Sequence, residues 1–106
     1  MASAFGTDIL IQTDDPQKAA EFYAHTLGLQ ITEDQADLVS LRGPNLNLFL
    51  ERGPKLGPVL EVFVEDVAAT RSALVAKGCM VLKDEPAFPR CYVQDPFGLI
   101  YNLARR

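Results

Sequence analysis

The sequence predicts an α+β fold made of two β-α-β-β-β modules that join into an open, curved sheet. Three observations carry this. Asp15 opens a helical stretch in the first half and Asp66 opens one in the second, 51 positions on. Gly28 and Gly78 close those stretches, 50 apart. A glycine-led turn then precedes a strand with an internal asparagine in each half, Gly43 with Asn47 and Gly98 with Asn102, both at an offset of 55. Residue identity between the halves is low, but punctuation and periodicity coincide, and a duplicated unit puts the natural site on the surface the copies build together.

The first strand is Asp8-Ile9-Leu10-Ile11-Gln12-Thr13, with Ile9, Ile11 and Thr13 on one face and Asp8, Leu10 and Gln12 on the other. Asp14-Asp15-Pro16 starts a helix: a carboxylate at the N-cap accepts a free backbone N–H, and proline at the first helical position has no hydrogen bond to lose. Ala19, Phe22, Tyr23 and Leu27 follow at helical spacing, and Gly28 ends the helix because glycine enters the left-handed C-terminal conformation without steric cost. Strands are expected near 29–33, 38–42 and 45–51. The last alternates cleanly, with Leu46, Leu48 and Leu50 toward the helix and Asn45, Asn47, Phe49 and Glu51 opposite. Residues 52–58 hold two Gly-Pro steps and read as a linker. The second unit reads as strand 59–64, helix 66–77 with Val67, Leu74 and Val75 inward, strand 79–83, a loop over 84–89, and strands 90–94 and 99–104. Asp95-Pro96-Phe97-Gly98 fits a type I turn. One domain results, with module one at about 7–51 and module two at about 59–104.

Composition narrows the function classes. The net charge of -4, with no cluster of Lys or Arg, argues against a nucleic-acid partner, which would require a basic face. No segment approaches a membrane span, and the N-terminal residues lack the basic start and apolar run of a signal peptide. Cys79 and Cys91 form no CxxC pattern and no disulfide framework, so two buried, reduced thiols in a cytoplasmic protein are expected.

Asp15-Pro16, Glu21-Phe22-Tyr23 and Leu27-Gly28-Leu29 together resemble the first-module signature of the vicinal oxygen chelate superfamily, which includes glyoxalases, bleomycin-resistance proteins and extradiol dioxygenases. In the second half Val62-Phe63-Val64-Glu65-Asp66-Val67, Lys77-Gly78 and Asp95-Pro96-Phe97-Gly98 are similar to the same family's strand-to-helix junction, helix exit and hairpin. The resemblance spans nearly the whole chain. It implies a cup-shaped mixed sheet with the helices on its outer face, and commonly a homodimer.

The resemblance also implies one divalent metal in the cup, held from the first and last strand of each module, usually by His, Glu or Gln. The matching positions here are Asp8, Asn47, Val59 and Asn102, with Phe49 or Glu51 replacing Asn47 if the register slips. Val59 cannot ligate, Asn offers only a neutral amide oxygen, and Asp8 alone carries charge, whereas transition metals favour imidazole, thiolate or carboxylate donors. The single histidine, His25, falls on the first helix, on its solvent side. No cofactor is therefore expected. The alternative is a carboxylate site of Asp8, Glu51 and Glu61, suited to a hard ion.

Strand alternation directs Asp8, Leu10, Gln12, Arg42, Asn47, Phe49, Glu51, Glu61, Phe63, Tyr92, Gln94, Ile100 and Asn102 into the cup. Apolar and aromatic walls with a few polar groups suit a small-molecule pocket. Phe49, Phe63 and Tyr92 offer ring faces, and Asp8, Glu51 and Glu61 favour a planar or cationic ligand, with Arg42 as counterweight. The function expected is a metal-free small-molecule-binding protein of the glyoxalase/bleomycin-resistance type. The alternatives are a metal-dependent lyase, isomerase or dioxygenase with an atypical ligand set, and a protein-interaction module that has lost its site. Phe97, an apolar side chain at a hairpin tip, is expected at a dimer contact.

Overall fold

The helices form where their punctuation places them. In the computed structural model, which describes residues 3–87 and 90–105, helix α1 spans Pro16–Leu27 and helix α2 spans Val67–Ala76. The Asp15 carboxylate accepts from Lys18 N at 3.0 Å, and that of Asp66 accepts from Ala69 N at 3.0 Å, so both aspartates cap orphan amides. Gly28 takes the left-handed conformation at φ 79° and donates its N–H to Ala24 O. Lys77 caps α2, and Gly78 follows at φ 97°.

The eight strands are β1 Ser3–Thr13, β2 Gln30–Asp34, β3 Leu38–Arg42, β4 Asn47–Arg52, β5 Leu56–Val64, β6 Met80–Glu85, β7 Arg90–Gln94 and β8 Ile100–Ala104. The element order is β-α-β-β-β twice, as the sequence predicts, and the fold is α+β. Several boundaries differ from the expected ones. β1 begins at Ser3, β5 takes in Leu56-Gly57-Pro58 from the expected linker, and Asp84 and Glu85 extend β6 into the expected loop, whose last residues, 88–89, lie outside the described ones.

The chain divides into two compact units. The first module, Thr7–Pro58, has strand order β2-β3-β4-β1, with β1 parallel to β4 and the other pairs antiparallel. One face packs against α1: Ala20, Val39, Leu41, Leu48 and Leu50 form the buried cluster, with Ile9, Ile11 and Tyr23 against it. The second module, from Val59 onward with the residues through Gly6, has strand order β5-β8-β7-β6, with β5 parallel to β8. Its cluster is Val62, Val64, Cys91, Val93, Tyr101 and Leu103, with Leu60, Val67 and Leu74 packed on it.

The helix faces are narrower than the apolar spacing suggests. In α1 the buried positions are Pro16 and Ala20, while Phe22 and Leu27 are 55% and 61% exposed. In α2 the inward line is Val67, Thr70 and Leu74, at steps of three and four, and Val75 is 48% exposed. A helix lying flat on a sheet buries one stripe, and small side chains at its centre let the backbone come close.

Candidate functional site

In each module the sheet face turned away from the helix collects most of the polar residues singled out in the sequence. In the first module β1 and β4 run parallel with Asp8 opposite Asn47, Leu10 opposite Phe49 and Gln12 opposite Glu51. Ile9, Ile11, Leu48 and Leu50 are committed to the helix side, so alternation sends these six the other way. Arg42 joins them as the cross-strand partner of Asn47. Asn47 donates its Nδ2–H to Asp8 Oδ1 at 3.0 Å, and Gln12 donates its Nε2–H to Glu51 Oε1 at 3.0 Å. Two carboxylates expected to face a ligand are thus each held by a neighbouring amide.

In the second module Glu61 lies opposite Asn102, Phe63 opposite Ala104, Tyr92 opposite Asn102, and Gln94 opposite Ile100. Asn102 Oδ1 accepts the Cys91 backbone N–H at 2.9 Å. Gly6 lies so close to Glu61 and Phe63 that an added Cβ would collide with Glu61 Oε1 and stand 2.9 Å from Phe63 Cε2. Tyr92 is 2% exposed, with Arg90 Cζ 5.6 Å and Lys83 Nζ 5.8 Å from its ring centre. Its ring is therefore a buried cation–π partner rather than an open platform.

Arg90 and Lys83 are the residues the sequence reading left out. Arg90 shares the parity of Tyr92 and Gln94, so alternation alone would have found it. Lys83 could not be found that way, because the β6–β7 register shifts between Val81 and Lys83 and carries Lys83 opposite Tyr92.

The structural repeat also differs from the one the matching asparagines suggest. Arg42 with Asn47 closes the first β-hairpin, and Gln94 with Ile100 closes the second. Counted from these pairs, Asn47 corresponds to Ile100, 53 positions on, and Asn102 corresponds to Phe49. The buried pairs Leu48 and Leu50, Tyr101 and Leu103 agree. The offset of 55 between the asparagines is a coincidence of residue type, and the register slip toward Phe49 is the one observed.

These residues do not fit a divalent metal. Val59 has no donor and is 2% exposed. Phe49 has none either, and the amides of Asn47 and Asn102 are engaged in hydrogen bonds within their own modules. Among the described residues no three His, Cys, Asp or Glu side chains form a group that could hold a metal ion. His25 is exposed on α1.

Two weak acids lie in the second module's core. Burial pushes the Cys91 thiol up, and the Asp84 carboxylate adds to the effect. Tyr101 is pushed up to about 12, first by burial and then by its contact with Cys79, whose Sγ lies 4.0 Å from the phenol oxygen. Both cysteines are unbridged, Cys91 buried as expected and Cys79 only half-buried, next to the Tyr101 hydroxyl at the edge of the cluster, and a thiol held neutral is a poor nucleophile.

One pocket opens wholly within the first module, at the β3–β4 hairpin. Thr7, Arg42, Gly43, Pro44, Asn45, Leu46 and Asn47 line about 460 Å³. At the β7–β8 hairpin of the second module, Asp95 Oδ1 accepts from Phe97 N and Leu99 N, both at 3.0 Å, and holds Phe97 out in solvent at 95% exposure.

The fold defines a class: paired β-α-β-β-β modules are the architecture of the vicinal oxygen chelate superfamily. More particularly, the glyoxalase-like domain family matches residues 8–104, and the chain belongs to that family. Among solved structures it is similar to a hypothetical protein from Bacillus halodurans C-125, at 13% identity and TM-score 0.64, over 100% of this chain and 96% of that one. A glyoxalase/bleomycin resistance protein/dioxygenase superfamily member from Vibrio splendidus 12B01 is similar at 14% identity and TM-score 0.62, over 97% and 100%. An extradiol ring-cleaving dioxygenase from B. fuscum matches at 23% identity and TM-score 0.64 over 94% of this chain, which spans only 32% of the dioxygenase's length. At these identities the likeness is one of fold. No curated protein matches the chain. Among the described residues no helix is long and apolar enough to cross a membrane.

Proposed function

We propose that this chain is a small-molecule-binding protein that holds its ligand without a resident metal. The observation that supports it is the state of the positions at which the family resemblance expects metal ligands. Val59 is a buried hydrocarbon, Asn47 is bonded to Asp8, and Asn102 is bonded to the Cys91 amide. A divalent ion would gain only neutral amide oxygens, one of them already accepting the Cys91 N–H, and one carboxylate. The ligand is planar or cationic: Phe49 and Phe63 are half-buried on the faces away from the helices, and Asp8 and Glu51 supply negative charge there. The working unit is a homodimer with Phe97 at the contact.

The test uses protein purified without chelator. Substoichiometric metal is expected by mass spectrometry, with a melting temperature indifferent to EDTA and raised by members of a panel of small aromatic cations. A ligand at about 100 times its Kd adds about 2.7 kcal/mol to stability, a shift of several degrees. One tightly held transition metal per chain, with melting lowered by its removal, would overturn the reading.

A further inference from the structure

We infer that the pocket at the β3–β4 hairpin of the first module is a binding site for the carboxylate of a small organic acid, with Arg42 as its anchor. The inference goes beyond the ligand reading above and does not depend on it. The chain carries 14 acidic against 10 basic residues, yet the lining of this pocket holds one guanidinium and no acid. The Asp8 carboxylate nearby is not part of the lining and is bonded to Asn47.

Among the arginines within strands and helices three have engaged side chains, whereas that of Arg42, like that of the C-terminal Arg105, is not engaged. Arg52 is paired with Asp37 at 3.0 Å and reaches Gln17 and the Ala36 carbonyl. Arg71 is paired with Asp84, and Arg90 lies against the Tyr92 ring. Among the described residues the Arg42 side chain has no ion pair and no hydrogen bond. It stands at the base of a tight hairpin, whose Gly43 N–H donates to Leu46 O at 2.9 Å, opposite Asn47.

The remaining lining matches the same class of ligand. The Thr7 hydroxyl and the amides of Asn45 and Asn47 are neutral donors that can complete a carboxylate's shell, while Pro44 and Leu46 offer apolar surface for a hydrocarbon body. A planar guanidinium fork pairs with a carboxylate through two parallel hydrogen bonds. One cation matches one negative charge, so the site suits a monoanion rather than a phosphate dianion, whose second charge would meet only neutral groups. The volume of about 460 Å³ holds a molecule of the size of an aromatic acid.

The experiment is a 1H–15N NMR titration of the full chain, at fixed ionic strength, with three probes of one shape: benzoate, neutral benzamide and cationic benzamidinium. Benzoate is expected to shift the amides of Gly43, Asn45, Leu46 and Asn47, and the other two to leave them in place. Arg42→Gln should weaken benzoate about tenfold, and Arg42→Lys, which keeps the charge and loses the fork, should fall between. Because Arg42 is exposed and unbonded, Arg42→Gln is expected to keep the wild-type spectrum elsewhere, which verifies its fold. Equal shifts from all three probes, or undiminished benzoate binding by Arg42→Gln, would overturn the site. Binding of benzamidinium away from the hairpin, without any benzoate response at it, would also overturn this inference while leaving the metal-free binding function standing.

Discussion

The replacement Asn102→Leu separates a structural amide from a ligand-holding one. Asn102 Oδ1 accepts the Cys91 N–H at 2.9 Å, and Cys91 is almost wholly buried at 2% exposure. It does so just past the Tyr92–Asn102 pair, the last in the β7–β8 register among the described residues. Leucine is of similar size and supplies no acceptor, so the variant strands a buried donor at a cost of about 1–3 kcal/mol. In urea, with an m-value of about 2 kcal/mol/M for a chain of this length, the midpoint should fall by roughly 0.5–1.5 M. Asn102→Asp keeps an acceptor oxygen and should recover more than half of that loss, less what its new charge costs opposite Glu61. The assay is equilibrium unfolding followed by far-UV circular dichroism, with EDTA and zinc arms run in parallel. Wild-type midpoints should be the same in both arms. A midpoint for Asn102→Leu within about 0.2 M of wild type, or a wild-type midpoint raised by zinc and lowered by EDTA, would refute the reasoning.

Gly6→Ala should destabilise by about 1–2 kcal/mol, since its Cβ would meet the Glu61 carboxylate and the Phe63 ring edge, and only the former moves easily; the same unfolding experiment reads it. Leu50→Ala, at the fully buried centre of the first module's cluster, should cost about 2–5 kcal/mol, and a smaller loss in the urea midpoint would mean that the cluster collapses around the gap. Tyr101 makes stability fall in alkali: its folded value of about 12 exceeds the model-compound 10.0, so its contribution is complete below pH 10 and is lost as pH rises through that window. At about 1.4 kcal/mol per unit of pH the contribution is of order 2–3 kcal/mol, and Tyr101→Phe should flatten the profile of urea midpoint against pH over that range. Phe97→Asp should leave the urea midpoint of the monomer unchanged and convert a dimer to a monomer in sedimentation velocity; a dimer that survives the change would exclude Phe97 as its contact.

The fold was legible because the residues that terminate elements act locally. Asp15, Asp66 and Gly28 act through their own side chains or φ angles on the next few amides, so no distant contact has to be guessed. The alternation of β4 was equally plain, since Leu48 and Leu50 face a helix and Asn47, Phe49 and Glu51 do not. What sequence could not resolve depends on partners far away in the chain. Phe22 and Val75 sit at helical spacing with residues that are buried, but the stripe a helix buries is fixed by the sheet it meets. Lys83 reaches the Tyr92 face through a register shift that leaves no mark in local composition. The start of β1 at Ser3 depends on Glu61 and Phe63, more than fifty positions later, which receive Gly6.

The register explains why matching asparagines misled. Duplicated modules are constrained by what packs under the helix, so Leu48 and Leu50 have counterparts in Tyr101 and Leu103. The opposite face carries no such constraint, and there the modules use their amides differently. In the first, the amides of Asn47 and Gln12 each bond a carboxylate across the β1–β4 seam. In the second, Asn102 turns to the backbone of β7 instead. An amide already bonded within its own sheet offers a ligand only its remaining donor or lone pair, whereas an unpaired guanidinium offers its whole fork. The carboxylate site inferred for the first module therefore centres on Arg42, a position outside the four that the resemblance to metal-binding relatives singles out.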